Sequence, residues 1–322
     1  MRIRKGFAFQ QLQSAMTETR RTPNFSIDSA RFDAPPLEPG LYIVATPIGH
    51  LDDITLRALK TLASAEVVYC EDTRVTRVLL DRYGIRTKTS SYHEHNAVKQ
   101  RPRILERLAA GEAIALVSDA GTPLVSDPGF RLVEEVAAAG HRVVPIPGAS
   151  ALTASLMAAG LPTDTVVFLG FLPSKSGPRR RRLETFSRQP ASLVFYESPN
   201  RLAQALVEAA EICGPDRPAA VCRELTKRFE TVTRGPLAAL CDAYPTDTRI
   251  KGEIAVVIAP PPEQETASEA DAEDLLKAAL ARLPAGKAAA EVARITGRDR
   301  QELFRLALSL KDVPPAGGDG AA

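Results

Sequence analysis

The groups that the commoner enzyme chemistries depend on are scarce in this chain of 322 residues. Its four cysteines, Cys70, Cys213, Cys222 and Cys241, include no CxxC pair. Lying far apart in or beside apolar segments, they read as buried free thiols in a reducing cytosol rather than as a disulfide framework. Histidine also numbers four. His93 and His95 flank Glu94, but an HxH loop without a further partner at known spacing makes a poor metal site, and His50 and His141 stand alone. No metal is expected. A GxSxG elbow, a Walker lysine loop and a GxGxxG fingerprint are all missing, which argues against hydrolase, P-loop and dinucleotide-binding readings. No apolar run approaches the length of a membrane span. The net charge is only +2, so any affinity for nucleic acid has to come from local clusters.

What is present is a soluble globular composition, 44% hydrophobic and 25% charged, with length enough for two domains. Short apolar runs at Leu41 to Ala45, Val67 to Cys70 and Ala113 to Val117 alternate with segments of helical spacing. This is the pattern of an α/β fold with a mostly parallel sheet covered on both faces. After Leu161-Pro162 the strands Val166 to Leu169, Leu193 to Tyr196, Ala219 to Cys222, Thr231 to Gly235 and Ile254 to Ile258 predict a second α/β domain with more antiparallel pairing. The expected organisation is a disordered basic extension over residues 1–38, α/β domains over 39–160 and 161–260, and a linker over 261–270. A helical module over 271–311 and a disordered tail over 312–322 complete it. The acid-poor start also fits an organelle transit peptide or a true start at Met16.

Loops rich in small residues leave the carboxyl ends of the strands at Thr46 to Gly49, Glu71 to Arg74, Asp119 to Gly129 and Pro147 to Ser150. Ligands of open α/β sheets bind at that edge. Glycine and small side chains let backbone groups approach a ligand, as an adenosine-containing cofactor needs. The loop from Asp119 to Gly129 is acidic and lacks lysine, which suits a cationic sulfonium donor better than a nucleoside triphosphate. The bland reading of the same loops is a set of ordinary βα turns, with Pro123, Pro128 and Pro147 as turn formers.

The segments LYIVATPIGHLDDITLRAL, VYCEDTR, SYHEHN, VSDAGTPLVSDPG, PIPGASALTASL, GFLPSK, FYESPNR, CRELTKRFE and KGEIAVVI occur in this order between about Gly40 and Ile258. Together they resemble the tetrapyrrole-methylase (class III methyltransferase) superfamily. Within it they are similar to the S-adenosylmethionine-dependent enzymes that 2′-O-methylate a cytidine of small-subunit (16S) rRNA. The usual GGDP-like loop is replaced here by Asp119 to Pro123, which favours the RNA branch and blurs which side chains touch the cofactor. The resemblance implies two α/β domains with the cofactor in the cleft between them, plus a small C-terminal helical module. It also implies a cytoplasmic homodimer acting on 16S rRNA or the 30S ribosomal subunit, with no membrane involved. Motif by motif, it carries S-adenosylmethionine contact onto Pro47, Asp119, Gly121, Thr122, Pro123, Ser126, Ser150 and Ala151, and onto Leu172, Tyr196 and Gly252.

Methyl transfer to a ribose hydroxyl needs in-line positioning and a group to draw off the proton. The candidates are Glu71, Asp72, His93, Glu94 and His95, then Glu197, Glu224, Lys227 and Glu230. For Glu224 and Glu230 an ion-pair network with Arg223, Lys227 and Arg228 is an equal reading. RNA phosphates would meet Lys175, Arg179, Arg180, Arg181 and Arg182, expected as a loop at the cleft mouth, with Arg74, Arg77, Arg201, Lys227 and Arg228 continuing that surface. The bland alternative is a solvated charge run. The last helices have helix-turn-helix spacing around Gly297, with Arg298, Arg300 and Arg305 as nucleic-acid candidates or a plain packing hairpin as the alternative. Two rival functions stay open: a methylase of a tetrapyrrole or other small acceptor, and a non-catalytic nucleic-acid-binding regulator.

Overall fold

The computed structural model describes residues 22–125, 129–246, 250–262, 269–296 and 298–311. It divides into two compact units, one ending at Ala259 and one beginning at Pro260, with Arg188–Pro190 grouped with the second. The first unit carries two five-stranded sheets.

The first sheet is built from β3 (Gly40–Val44), β4 (Val67–Cys70), β5 (Thr89–Ser91), β6 (Ala113–Leu116) and β7 (Val143–Ile146), in the order β5-β4-β6-β3-β7. Every pairing in it is parallel. Its apolar runs are continuous because both faces are covered. Tyr42 and Val44 pack with Leu59 and Leu62 of α1 (Leu56–Ser64) and Leu80 of α2 (Thr73–Arg82). The alternate residues Leu41 and Ile43 pack with Ile104 of α3 (Ala97–Ala109) and Leu132 of α4 (Phe130–Ala138). The two-residue period of the strand thus divides one apolar run between two cores.

Helix α5 (Ala151–Ala159) leaves β7 and lies against the second sheet, where Ala159, Leu152 and Leu156 meet Val194, Ala220 and Val257. That sheet comprises β8 (Val166–Phe171), β9 (Ser192–Glu197), β10 (Pro218–Arg223), β11 (Thr231–Pro236) and β12 (Ile254–Ile258), ordered β11-β10-β12-β9-β8. Only β8 and β9 run parallel; the other pairs are antiparallel, as the sequence predicts. Its other face is covered by α6 (Ser176–Phe186), α7 (Leu202–Cys213) and α8 (Leu237–Ala243) through Leu183, Leu202, Leu206, Leu237 and Leu240.

The expectation of a disordered extension up to residue 38 is corrected for its described part. Asn24–Ile27 and Ala30–Asp33 form an antiparallel hairpin, β1 and β2. Phe25 is 1% exposed in the first core, and the Ser26 amide donates to the Tyr83 carbonyl at 2.8 Å. The hairpin leaves little mark on the sequence because β2 is exposed along its whole length and shows no apolar alternation. Residues 1–21 and the tail from 312 lie outside the described residues. The second unit holds α9 (Glu269–Leu280), α10 (Ala285–Thr296) and α11 (Arg300–Lys311) around their own core of Leu276, Ala288, Ala289, Val292 and Leu303. Gly297, the expected turn centre, is not among the described residues.

Candidate functional site

β3 and β6 are neighbours whose following loops are stitched to each other. The Thr46 amide donates to the Gly121 carbonyl at 2.8 Å, and the Gly121 amide returns the bond at 3.0 Å. The buried Thr46 hydroxyl adds a bond to the Ser118 carbonyl at 3.1 Å. Outward from this bridge, Asp119 Oδ1 accepts the Asp72 amide at 3.0 Å, which ties in the loop after β4. The Thr122 hydroxyl donates to the Ala149 carbonyl at 3.1 Å and ties in the loop after β7. Four strand-end loops thereby form one wall. Gly121 has φ +81°, and a Cβ there would stand 3.2 Å from Ile48 Cγ2 and 3.8 Å from the Ala149 carbonyl. Only glycine takes this conformation without strain.

The facing wall is an edge of the second sheet. There β9 ends at Tyr196 and Glu197, which pair with Ala255 and Ile254 at the start of antiparallel β12. Two residues outside glycine, Glu224 and Thr226, hold positive φ of 52° and 64° in the turn after β10. The Thr226 hydroxyl accepts the His50 amide at 3.1 Å, bringing this turn against the loop after β3. Glu224 Oε1 accepts both Lys227 Nζ and the Glu253 amide, each at 2.9 Å. A Cβ on Gly252, whose φ is +103°, would fall 2.4 Å from Glu224 Cδ. The strained turn and the glycine are made for each other.

Between the walls lies a cavity of about 410 Å³, within the usual range for small-molecule sites. Glu71, Asp119, Gly121, Thr122, Ser150, Ala151, Tyr196, Glu197 and Gly252, all singled out from sequence, line it. Among its described lining residues four are carboxylates, Glu71, Asp119, Glu197 and Glu253, and none is lysine or arginine. Glu197 is 1% exposed. Its Oε1 accepts the Ser198 amide at 2.7 Å and Arg201 Nε at 2.7 Å, while its buried Oε2 has no hydrogen-bond partner among the described residues. Such an orphan is costly unless a ligand supplies a donor. Cys222 also lines the cavity, but burial pushes its thiol up to about 11 against the opposing pull of Arg234, so it supplies no thiolate.

Residues 40–241 match the family described as Tetrapyrrole (Corrin/Porphyrin) Methylases, and residues 266–311 match the RsmI C-terminal HTH domain. The chain is 53% identical to Ribosomal RNA small subunit methyltransferase I of Mesorhizobium japonicum over 91% of its own length and 100% of that protein's. It is 47% identical to the protein of that name from Pseudomonas aeruginosa, over 83% of this chain and 96% of that one. It shares its fold with cobalt precorrin-4 methyltransferase CbiF, with a TM-score of 0.54 and 20% identity over 68% of this chain and 94% of that one. This chain belongs to the tetrapyrrole methylase family.

Within this member of the family, several residues singled out from sequence stand elsewhere. Pro47 and Pro123 are buried loop residues that are not among the cavity's lining. Leu172, 2% exposed, packs in the core of the second sheet with Leu169 and Leu183. Ser126 lies outside the described residues. His93 and Glu94 do not line the cavity; His93 instead donates its amide to Asn96 Oδ1 at 2.9 Å. Lys227 is corrected as a candidate base. Burial pulls its ammonium down, but hydrogen bonds to Glu224 and Glu253 outweigh that and hold it above the ordinary lysine value, fully charged.

The arginine run is also corrected. Ser176–Phe186 is a helix, not a loop, so successive arginines point in different directions. Arg179 is buried and forms bonds of 2.7 and 2.8 Å from Nε and a terminal nitrogen to Glu208. Arg180 pairs with Glu211. Arg181 and Arg182 are exposed, and Arg182 lies over the Phe186 ring at 4.9 Å. Elsewhere Arg74 pairs with Asp72 at 2.6 Å, Arg201 is held by Glu197, and Arg228 stacks over exposed Phe229 at 5.4 Å. Among cavity residues that sequence reasoning passes over, Ile48, Phe171 and Ala255 stand inside quoted motifs but carry no polar signal.

Proposed function

We propose that this chain is an S-adenosylmethionine-dependent methyltransferase of small-subunit rRNA, acting on the 2′-hydroxyl of a cytidine. The observation that carries the reading is the carboxylate-lined cavity between the two sheets, without lysine or arginine among its described lining residues, in a chain whose relatives are named Ribosomal RNA small subunit methyltransferase I over nearly their full lengths. The cavity fits the donor. Its small wall residues admit a nucleoside closely, and its carboxylates suit a positively charged ligand. Asp119, Gly121, Thr122, Ser150, Ala151, Tyr196 and Gly252 would hold it. Bound there, the donor supplies an electrophilic methyl group on a sulfonium.

The protein's part is to position the hydroxyl in line and to accept its hydrogen bond. Of the acidic and basic candidates, Glu71 and Glu197 line the cavity. Glu197 suits the task better, because Arg201 anchors one of its oxygens and the other has no partner among the described residues. Phosphates of the RNA would meet Arg181, Arg182, Lys175 and Arg228. The family resemblance further supports a homodimer in the cytoplasm, to be measured by light scattering. No helix among the described residues is long and apolar enough to cross a membrane.

The test is to incubate the protein with methyl-labelled S-adenosylmethionine and either 30S subunits or free 16S rRNA. Label should enter the RNA within an alkali-resistant dinucleotide, as a 2′-O-methyl group dictates. Transfer to a tetrapyrrole alone, or to nothing, would overturn the reading.

A further inference from the structure

Phe171 ends β8 on the cavity wall with 57% of its surface exposed, whereas Ile254 and Ala255 on the same wall are 3% and 4% exposed. Its placement follows from an irregularity in the strand. Phe168 pairs with Val194 of β9, but Phe171 pairs with Tyr196, so three steps along β8 match two along its neighbour. Gly170, at φ +66°, supplies the backbone conformation for the inserted residue. In a regular strand residues three apart face opposite sides of the sheet. The bulge instead turns both phenylalanines onto one ring: Phe168 and Phe171 meet Tyr196 with centroids 5.0 and 5.5 Å apart and planes at 68° and 65°. Three rings packed edge to face fix the orientation of the outermost one.

We propose that Phe171 is the stacking platform for the base of the acceptor nucleotide. This rests on the reading that the acceptor is RNA. Sequence-specific recognition of RNA targets unstacked bases, which are read by laying them on aromatic rings. A base on Phe171 presents its ribose to the cavity, where Glu197 Oε2 lacks a donor. Lys175, four residues on, and exposed Arg181 and Arg182 continue from Phe171 into the following helix and are available to adjoining phosphates. The donor's adenine is assigned to the other wall, where Gly121 and its neighbours make the close backbone approach. Phe171 is a positioning residue and takes no part in bond making.

The chain contains no tryptophan, so F171W carries a single reporter at the site. Its fluorescence should be quenched when protein-free 16S rRNA is added, and not by S-adenosylhomocysteine alone. Quenching by S-adenosylhomocysteine alone, or RNA binding by anisotropy without quenching, would overturn the proposal. In turnover with 30S subunits, F171L should raise the KM for the subunit about ten-fold, F171Y should restore it, and the Kd for S-adenosylmethionine should change far less than that KM. A wild-type KM for F171L sinks the platform even where the reporter is silent. Wild-type protein that methylates no RNA would sink the parent reading instead.

Discussion

Glu197 shows how a buried carboxylate can be held on one side and left unpaired by the described residues on the other. Arg201 and the Ser198 amide occupy Oε1, and Oε2 has no hydrogen-bond partner among the described residues. E197Q keeps the shape and removes the acceptor charge, so kcat should fall about 10²-fold, while the Kd for S-adenosylmethionine by calorimetry stays near wild type. A fall in donor affinity with kcat intact would place Glu197 against the donor instead. Gly252 carries a second residue-scale prediction. G252A puts a methyl 2.4 Å from Glu224 Cδ at φ +103°. Stability should drop by about 1–3 kcal/mol in urea unfolding, and donor affinity should weaken as the turn that clasps the cleft shifts. Glu197 and Gly252 are both legible in the motifs FYESPNR and KGEIAVVI. The state of Lys227 is not, because its two carboxylate partners come from one near and one distant segment, Glu224 and Glu253.

Helix α6 separates four like charges into two tasks. Arg179 and Leu183, four apart, share the inward face, and Arg181 and Arg182 look outward. Arg179 holds the Glu208 carboxyl at about 2, well below its ordinary range, against the opposing effect of burial. Because the folded value lies below the unfolded one, the pair's stabilisation is fully present above about pH 4.5 and is lost as the pH falls toward 2. R179M should therefore cost about 3–5 kcal/mol at neutral pH by leaving a buried carboxylate unpaired. Its acid unfolding curve should be flatter than wild type over that window. R181E/R182E should leave the Tm unchanged and weaken RNA binding, lowering the slope of log K against log salt by roughly 2. Loss of stability in the double variant with the salt slope intact would make the outer arginines structural too. Read along the chain, the charge run offers four equal candidates; the helical period sorts them.

For the whole molecule, the helical unit has its own core of Leu276, Ala288, Val292 and Leu303 and is matched separately from the methylase region. Ending the chain at Pro262 should leave a folded two-sheet unit that binds S-adenosylmethionine with unchanged Kd, while affinity for 30S subunits falls. Loss of donor binding in the truncated protein would contradict that independence. The two-sheet α/β architecture and the helical module after it can be read from period and motif order, because local apolar spacing dictates elements and strand ends dictate where ligands lie. The sequence by itself therefore determined the fold class, the family and most of the cavity's polar lining. Only the tertiary structure decided that Arg179 is core, that Leu172 is packing, that Lys227 stays charged and that Phe171 stands open to the cavity. Each of those placements depends on a partner distant in sequence or on a single inserted residue in a strand, and neither leaves a periodic trace along the chain.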